Sequence, residues 1–259
     1  MSETIYCQVH DVAIESVNVP QYTDEEHGTW KLLLETQNSL IEGRACEEFI
    51  EGLRKVSFPS DQIPNLRDVS KRIENCTSWK LLRVDGLVHP RVFFKLLARK
   101  IFPSTDFIRK RSELMYTPAP DMFHDLFGHA PLLTNPSFTE FFEDFGKIGI
   151  AASLKYPDET HPIHEMLPRL YWFTVEFGLI STSQGVRAFG SGSCSSPEEL
   201  EFCVSPKCKQ IPFSVDQVAQ KTYDIWHLQE EVFVINSFEQ LGKSFREWAA
   251  RQGLFASEV

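Results

Sequence analysis

Apolar residues recur every three or four positions along much of the chain, with polar residues between them, which predicts amphipathic helices. A further segment, 167–180, is apolar almost all round, which predicts a buried helix. Strands are expected to be few, at 186–189 and 231–235. The amphipathic helices are predicted at 29–46, 45–55, 90–100 and 138–152, with a short helix beginning at Pro197. The pattern therefore predicts a mainly α fold with a few short strands.

The composition narrows the class of protein. A chain of 259 residues can bury a large core within one domain. A net charge of -10 argues against a nucleic-acid surface, and no apolar stretch resembles a signal peptide or is long enough to span a membrane. The six cysteines form no Cys-x-x-Cys pair, so free thiols are expected. The expected compartment is the cytoplasm, and the expected partners are small molecules.

Two histidines, His124 and His129, stand five positions apart in a short stretch that also holds Asp121, Asp125 and Gly128. Histidines four apart would share a helix face, whereas histidines five apart converge only if the helix ends between them, and Gly128 permits such an ending. Asp121 could cap the start of that helix. The pair could then bind a metal, or it could be two unrelated histidines. The zinc-protease motif is disfavoured because its spacing and its glutamate base are missing.

Glu176 is the best candidate for a third ligand. It lies in an apolar stretch, and a buried carboxylate is costly unless it is paired or binds a metal. A structural ion pair is one explanation. The other is a metal site, because two histidines and one carboxylate form the facial triad that holds non-haem Fe(II) and leaves three positions open. Zinc bound by the same three side chains is the competing metal assignment.

Four blocks of sequence, taken in order, resemble the catalytic domain of the pterin-dependent aromatic amino acid hydroxylases, and most of all its short bacterial members. The blocks are 22–27 with Trp30, 116–133, 171–179 and 190–196. The resemblance implies a helical basket around an iron pocket, formed by one catalytic domain over 1–259 with a core at about 22–241. It also implies a monomer that lacks the regulatory and tetramerisation domains of the animal members.

The resemblance assigns roles to residues of this chain. It implies that His124, His129 and Glu176 hold Fe(2+), with Asp125 and Glu176 taking part in catalysis. The side chains implied to contact the amino acid substrate are Arg109 at its carboxylate, Thr117 and Ser195 near its backbone, and Trp172 and Cys194 at its ring. Judged alone, Arg109 would be part of a solvated basic face with Lys110 and Arg111, and Trp172 would be a core residue.

A second cofactor, tetrahydrobiopterin or a related tetrahydropterin, is implied by the same resemblance. The loop that contains Gly86, Leu87 and Val88 would offer backbone groups to the pterin ring. Phe93 would stack on that ring, and Asp125 would face it through water. Each of these would be an ordinary loop or core residue if the sequence were judged without the resemblance.

The implied activity is hydroxylation of the ring of L-phenylalanine to L-tyrosine with O2. By the same resemblance, Ser193 and Cys194 stand where most relatives would carry bulky aliphatic residues. A compensated change in the core is the favoured explanation. A larger or tilted pocket would instead give meta-tyrosine, or hydroxylation of tryptophan. The alternatives from other classes are a zinc hydrolase and a non-catalytic relative that binds a ligand.

Overall fold

The computed structural model describes residues 20–254, apart from residues 85, 87 and 115–119. Within these ranges most of the chain is helical and the strands are short, which confirms the predicted mainly α fold. The α-helices are α1 Asp24–Ile41, α2 Glu47–Val56, α3 Leu66–Thr77, α4 Pro90–Leu97, α5 Pro136–Lys155, α6 Ile163–Tyr171, α7 Ser191–Ser195, α8 Pro197–Cys203, α9 Val215–Gln220 and α10 Phe238–Arg251. Two π-helical segments are π1 His124–His129 and π2 Trp172–Glu176.

The strands form two small sheets. They are β1 Lys80–Val84, β2 Ile101–Thr105, β3 Leu179–Thr182, β4 Gly185–Ala188, β5 Lys209–Pro212 and β6 Glu231–Ile235. β1 pairs with β2 in parallel, and the other four strands have the order β4-β3-β6-β5, with only the β3–β4 pair antiparallel. The strands at 186–189 and 231–235 predicted from the sequence match β4 and β6. The parallel pairs join segments that lie far apart along the chain, so the local sequence gives little indication of these pairings.

Helix α1 begins five residues before the predicted start because a capping box fixes its first turn. The Glu26 backbone N–H donates to Thr23 Oγ1 at 3.3 Å, and the Thr23 backbone N–H donates to Glu26 Oε2 at 2.7 Å. The two bonds satisfy donors that have no partner within the helix. At the other end the helix stops at Ile41, and Gly43 takes the left-handed conformation with φ 72°. The chain therefore leaves the helix just before this glycine, within the stretch 29–46 that was predicted as one helix.

The predicted helices at 45–55, 90–100 and 138–152 agree with α2, α4 and α5 within a few residues. The single buried helix predicted at 167–180 is wrong. This segment contains the end of α6, then π2, and then the start of β3. Gly178 allows this change of direction. A Cβ atom there would lie 2.2 Å from the Phe189 ring and 2.4 Å from the Thr174 carbonyl oxygen. The tight turn therefore places the end of π2 against β4 and its following loop.

A phenylalanine-rich core supports the two π-helical segments. Trp79 stacks on Phe142 with ring centroids 5.4 Å apart, and the Phe102 ring lies 4.5 Å from the His129 imidazole. Rigid aromatic packing of this kind fixes the position of the histidine ring. Over the described residues, no helix combines the length and the apolar character needed to cross a membrane. The five cysteines in this part of the chain are free thiols, as predicted.

Candidate active site

The three predicted metal ligands converge on one point. His129 Nε2 lies 3.2 Å from His124 Nε2 and 3.2 Å from Glu176 Oε1, and His124 Nε2 lies 3.5 Å from Glu176 Oε2. Two ligand atoms that each lie about 2.1 Å from one ion, roughly at right angles, are about 3 Å apart. The two imidazoles and the carboxylate therefore fit a single metal ion, and the residues suit the iron that the sequence implied.

The first two ligands come together because their helix is wound as a π-helix. The expectation that the helix must end between His124 and His129 is wrong, since π1 runs continuously from one to the other. A π-helix bonds residues five apart, so it places both imidazoles on one face. The start of the helix is as predicted: Asp121 Oδ1 accepts from the His124 backbone N–H at 3.1 Å.

Gly128 serves close packing rather than helix termination. A Cβ atom at this position would lie 2.8 Å from the carbonyl oxygen of Ser191 in α7, closer than real Cβ contacts. Helix α7 therefore sits directly on π1.

The change Gly128→Ala is expected to push α7 away from π1. Overpacking of this kind costs about 1–3 kcal/mol in the free energy of unfolding, and iron retention should fall with it. Thermal unfolding and iron content would be measured together. The matched control is Gly242→Ala in α10, where the nearest atom lies 3.4 Å from the added Cβ. That control should be neutral or stabilising, because alanine favours helix. A Gly128→Ala protein with unchanged stability and iron content would contradict the packing argument.

The third ligand also lies on a π-helical segment. The Phe177 backbone N–H donates to the Trp172 carbonyl oxygen at 2.9 Å, a bond across five residues. This winding ends with Glu176, whose carboxylate faces the two imidazoles. The amphipathic pattern gave no sign of either π-helical segment, because a single wide turn changes few apolar positions.

Helix α7 orients two of the three ligands through its serines. The Ser195 hydroxyl donates to the Ser191 carbonyl oxygen at 2.7 Å, so at 2.9 Å it accepts the proton of His124 Nδ1. This leaves His124 Nε2 unprotonated toward the metal position. The Ser191 hydroxyl donates to Glu176 Oε2 at 2.8 Å. The sequence pointed to Ser195 for another role and did not indicate Ser191, although both lie in the matched block 190–196.

The protonation states suit a divalent cation. Burial lowers the pKa of His124 to about 4, so its imidazole is neutral near pH 7. Burial alone would raise the pKa of Glu176, but the neighbouring His129 and His124 outweigh it and hold that pKa at about 2. A neutral imidazole and an ionised carboxylate are the forms that bind metals.

A cavity of about 300 Å³ opens beside the three ligands. It brings together most of the residues that the resemblance assigned to the metal, the pterin and the substrate ring. Its lining includes Val84, Gly86, Val88, Pro90, Phe93, Phe102, Thr105, His124, Asp125, His129, Pro168, Tyr171, Trp172, Glu176 and Tyr223. Thr117 and Leu87, which were also assigned to the site, lie outside the described residues.

Asp125 lines the cavity one residue after the first ligand. The Thr105 backbone N–H and hydroxyl donate to its Oδ2 at 2.7 and 3.0 Å. Burial nevertheless raises the pKa of Asp125 to about 7, the donors from Thr105 acting against the rise. Thr105 was not indicated by the sequence, and neither was Tyr171, whose ring lies 6.4 Å from that of His129. A threonine at the end of a short strand and a tyrosine in an apolar stretch carry no distinctive signal.

Arg109 is buried, so its interpretation as part of a solvated basic face is wrong. Its exposure is 7 %, and it forms a two-pronged ion pair with Asp121, which has an exposure of 0 %. Arg109 Nε donates to Asp121 Oδ2 at 2.9 Å and Nη2 donates to Oδ1 at 2.8 Å. Burial would raise the pKa of Asp121, but the guanidinium outweighs it and lowers that pKa. Arg109 is not among the described residues that line the cavity.

Cys194 does not line the cavity within the described part of the chain. It is fully buried, and its carbonyl oxygen accepts from Gln37 Nε2 at 2.7 Å. Ser193 is also fully buried, beside the thiol of Cys203. Both departures from the family pattern therefore face the core behind α7, which favours a compensated change in packing.

Known proteins resemble this chain over most of its length. A model of the biopterin-dependent aromatic amino acid hydroxylase family matches residues 8–254. The chain is 40 % identical over 222 residues to a phenylalanine-4-hydroxylase of Chromobacterium violaceum, covering 85 % of this chain and 73 % of the relative. It is 39 % identical over 220 residues to a phenylalanine-4-hydroxylase of Pseudomonas aeruginosa, covering 85 % and 81 %.

Solved structures of the Chromobacterium violaceum enzyme share the fold. One holds iron(III) and oxidised 7,8-dihydrobiopterin, and it superposes with a TM-score of 0.85 at 36 % identity, covering 96 % of this chain and 92 % of the other. Another holds iron and phenylalanine, with a TM-score of 0.83 at 36 % identity, covering 94 % and 89 %.

Proposed function

The chain belongs to the biopterin-dependent aromatic amino acid hydroxylases, and from that premise we propose that it converts L-phenylalanine to L-tyrosine. The reaction would use O2, Fe(II) and a tetrahydropterin, which together supply the activated oxygen. The observation that carries the proposal is the convergence of His124, His129 and Glu176 at the wall of a cavity lined by aromatic residues. Three protein ligands leave open positions on the ion for the reactants.

The metal side of the site has two supporting serines. His124, His129 and Glu176 would hold the iron, and Ser195 fixes the tautomer of His124. Ser191 holds the Glu176 carboxylate at one oxygen. Such hydrogen bonds keep ligands in position before the metal binds, which increases metal affinity.

The pterin side would be formed by Gly86, Val88, Phe93 and Asp125. The Phe93 ring is held edge-on by Tyr171 at 5.6 Å and by Phe102 at 6.4 Å, so it offers a fixed surface for a flat ring. Asp125 lines this side of the cavity, and the Thr105 backbone N–H and hydroxyl hold its Oδ2 atom in place. Its carboxyl group could therefore form a hydrogen bond to a nitrogen heterocycle.

The substrate side would combine Trp172 at the ring with Arg109 at the carboxylate. Asp121 occupies Nε and Nη2 of the Arg109 fork. Nη1 donates one N–H to the Leu114 carbonyl oxygen at 3.3 Å. The second N–H of Nη1 and the outer N–H of Nη2 would bind the amino acid. The ion pair with Asp121 would keep the guanidinium in one orientation, which lowers the conformational entropy lost when the amino acid binds.

Product analysis tests the proposal. Iron-loaded protein given L-phenylalanine, a tetrahydropterin and O2 is expected to form para-tyrosine as its main product, resolved by chromatography from meta-tyrosine, with tryptophan in a parallel reaction. Cys194→Leu should leave the product ratio unchanged because the side chain lies behind α7 and not in the cavity. It should lose about 1–3 kcal/mol of stability through overpacking.

A control for that experiment is Trp172→Leu, which alters the cavity wall and should raise KM for phenylalanine. Meta-tyrosine or 5-hydroxytryptophan as the main product would overturn the proposed specificity. Turnover that persists without O2 would instead favour a zinc hydrolase. The single domain over 1–259, the monomeric state and the cytoplasmic location stay predictions.

A further inference from the structure

Glu199 is a buried carboxylate that the proposed reaction does not use. It lies on α8 with 9 % of its surface exposed, and its Oε2 atom has no hydrogen-bond partner among the described residues. Burial raises its pKa to about 7. No ion pair of the described residues includes it. A buried acid without a cation costs stability, so its presence calls for a compensating role.

Glu199 occupies the third helical position after the cap Ser196, where a glutamate usually closes a capping box. The first bond of such a box is present, because the Ser196 hydroxyl accepts from the Glu199 backbone N–H at 3.4 Å. The returning bond is absent: the Ser196 backbone N–H donates to the Ser193 carbonyl oxygen. Glu199 Oε1 instead accepts from the backbone N–H of Gln229 at 3.3 Å. The carboxylate therefore reaches away from its own helix to a distant loop.

Gln229 lies at the end of the loop that follows α9, and hydrogen bonds hold all its polar atoms. Its Nε2 donates to the carbonyl oxygens of Asp224 at 2.9 Å and His227 at 2.8 Å. Its carbonyl oxygen lies 3.5 Å from the Cys208 thiol, which donates to it. The side chain is 6 % exposed. Gln229 thus fixes the shape of the loop, and Glu199 fixes Gln229 to α8.

The last bond of Gln229 reaches the cavity. Its Oε1 accepts from the indole N–H of Trp172 at 3.0 Å. One face of the same indole is covered by Tyr223, which stacks on it with centroids 4.5 Å apart and an interplanar angle of 15°. Trp172 and Tyr223 both line the cavity. The loop therefore contacts the cavity wall twice, once by a hydrogen bond and once by ring stacking.

We propose that Glu199 is a positioning residue that acts through Gln229 on Trp172 and so sets the affinity of the cavity for the aromatic amino acid. This inference rests on the proposed function for its substrate. The chain of contacts runs from the α8 carboxyl group to the loop amide, and from the loop side chain to the indole. Because the cavity wall is already ordered before the substrate binds, less binding free energy is lost in ordering the wall.

Two variants separate the hydrogen bond from the bulk of the side chain. Glu199→Leu removes the acceptor and keeps the volume, whereas Glu199→Gln keeps an oxygen at the position of Oε1. The exposed neighbour Glu198, on the same helix, supplies the control Glu198→Gln. Iron content and circular dichroism would show that every variant is folded and loaded.

Hydrogen exchange at the Gln229 amide, measured without substrate, is the first readout. Loss of its acceptor in Glu199→Leu should speed that exchange about tenfold, and Glu199→Gln and Glu198→Gln should match the parent. KM for L-phenylalanine is the second readout and should rise about tenfold in Glu199→Leu with kcat within a factor of about two. A glutamine variant that fails to restore KM would overturn the role of the hydrogen bond.

A double variant tests whether the two residues act in series. Gln229→Met removes the acceptor of the Trp172 indole. Adding Glu199→Leu to it should raise KM no further, because the hydrogen bond through which Glu199 acts on Trp172 is already absent. Additive effects would show that Glu199 acts by another route and would overturn the inference. If the parent protein had no hydroxylase activity, the proposed function would fail, while the exchange at Gln229 and calorimetric binding of L-phenylalanine would still decide whether Glu199 positions the wall.

Discussion

Replacing His129 by alanine is expected to abolish iron retention and turnover together. Its Nε2 atom is 3.2 Å from each of the other two ligand side chains, so its loss leaves one imidazole and one carboxylate for the ion. Changes to groups that merely support a metal ligand lower affinity 10–100-fold, so loss of the ligand itself should leave less than about one hundredth of the activity. Iron would be quantified after gel filtration, and para-tyrosine formation would be followed on the same samples.

His161→Ala is the matched control, because this imidazole stacks on Tyr156 at a centroid distance of 3.7 Å and does not line the cavity within the described residues. It should retain iron and activity. Turnover that survives in His129→Ala would show that the triad is assigned wrongly. Activity restored by zinc in place of iron, and unaffected by removal of O2, would point to hydrolytic chemistry with the same ligands.

Asp121→Ala should produce the largest loss of stability among single changes at the site. It would leave the Arg109 guanidinium buried without its partner, and breaking a buried ion pair costs about 3–5 kcal/mol. It would also remove the cap of π1, which adds about 1 kcal/mol. Denaturant unfolding would measure the loss, and calorimetry would measure the accompanying fall in phenylalanine affinity. Lys110→Ala, at the exposed neighbour of Arg109, should change stability by less than about 0.5 kcal/mol.

The effect of Asp121→Ala should depend on pH in a defined direction. Because the pKa of Asp121 is lowered in the folded protein, its stabilising contribution is complete above the unfolded value of about 3.9 and is lost as pH falls through the folded value. The difference between parent and variant should therefore be constant above about pH 5 and should narrow only in stronger acid. A double variant with Arg109→Leu should recover part of the loss, since neither charge then stays buried alone. A constant difference down to the acid transition would contradict the ion-pair account.

The three residues that the sequence indicated as metal ligands converge in the structure, but the sequence did not predict the helix geometry that brings them together. Glu176 stood out because a carboxylate in an apolar stretch needs a partner, and the structure provides two imidazoles. The π winding could not be predicted, because a single wide turn changes few apolar positions and so leaves little trace in the local apolar spacing. Arg109 could not be distinguished from its exposed neighbours, since only the folded chain brings Asp121 to it. Local patterns thus identify elements and chemistry, whereas tertiary contacts decide burial and winding.

Asp121 joins the helix that carries the first two metal ligands to the arginine that we propose binds the amino acid carboxylate. One of its carboxylate oxygens accepts from the His124 backbone N–H and from Arg109 Nη2. If Arg109 binds the amino acid carboxylate as proposed, a shift of the guanidinium on binding would be transmitted to the first turn of π1, and a shift of π1 on binding iron would be transmitted back. By thermodynamic linkage, if bound iron changes the affinity for the amino acid by some factor, the bound amino acid changes the affinity for iron by the same factor. Under the proposed assignment, the ion pair that stabilises the fold would also be the coupling element between two ligands.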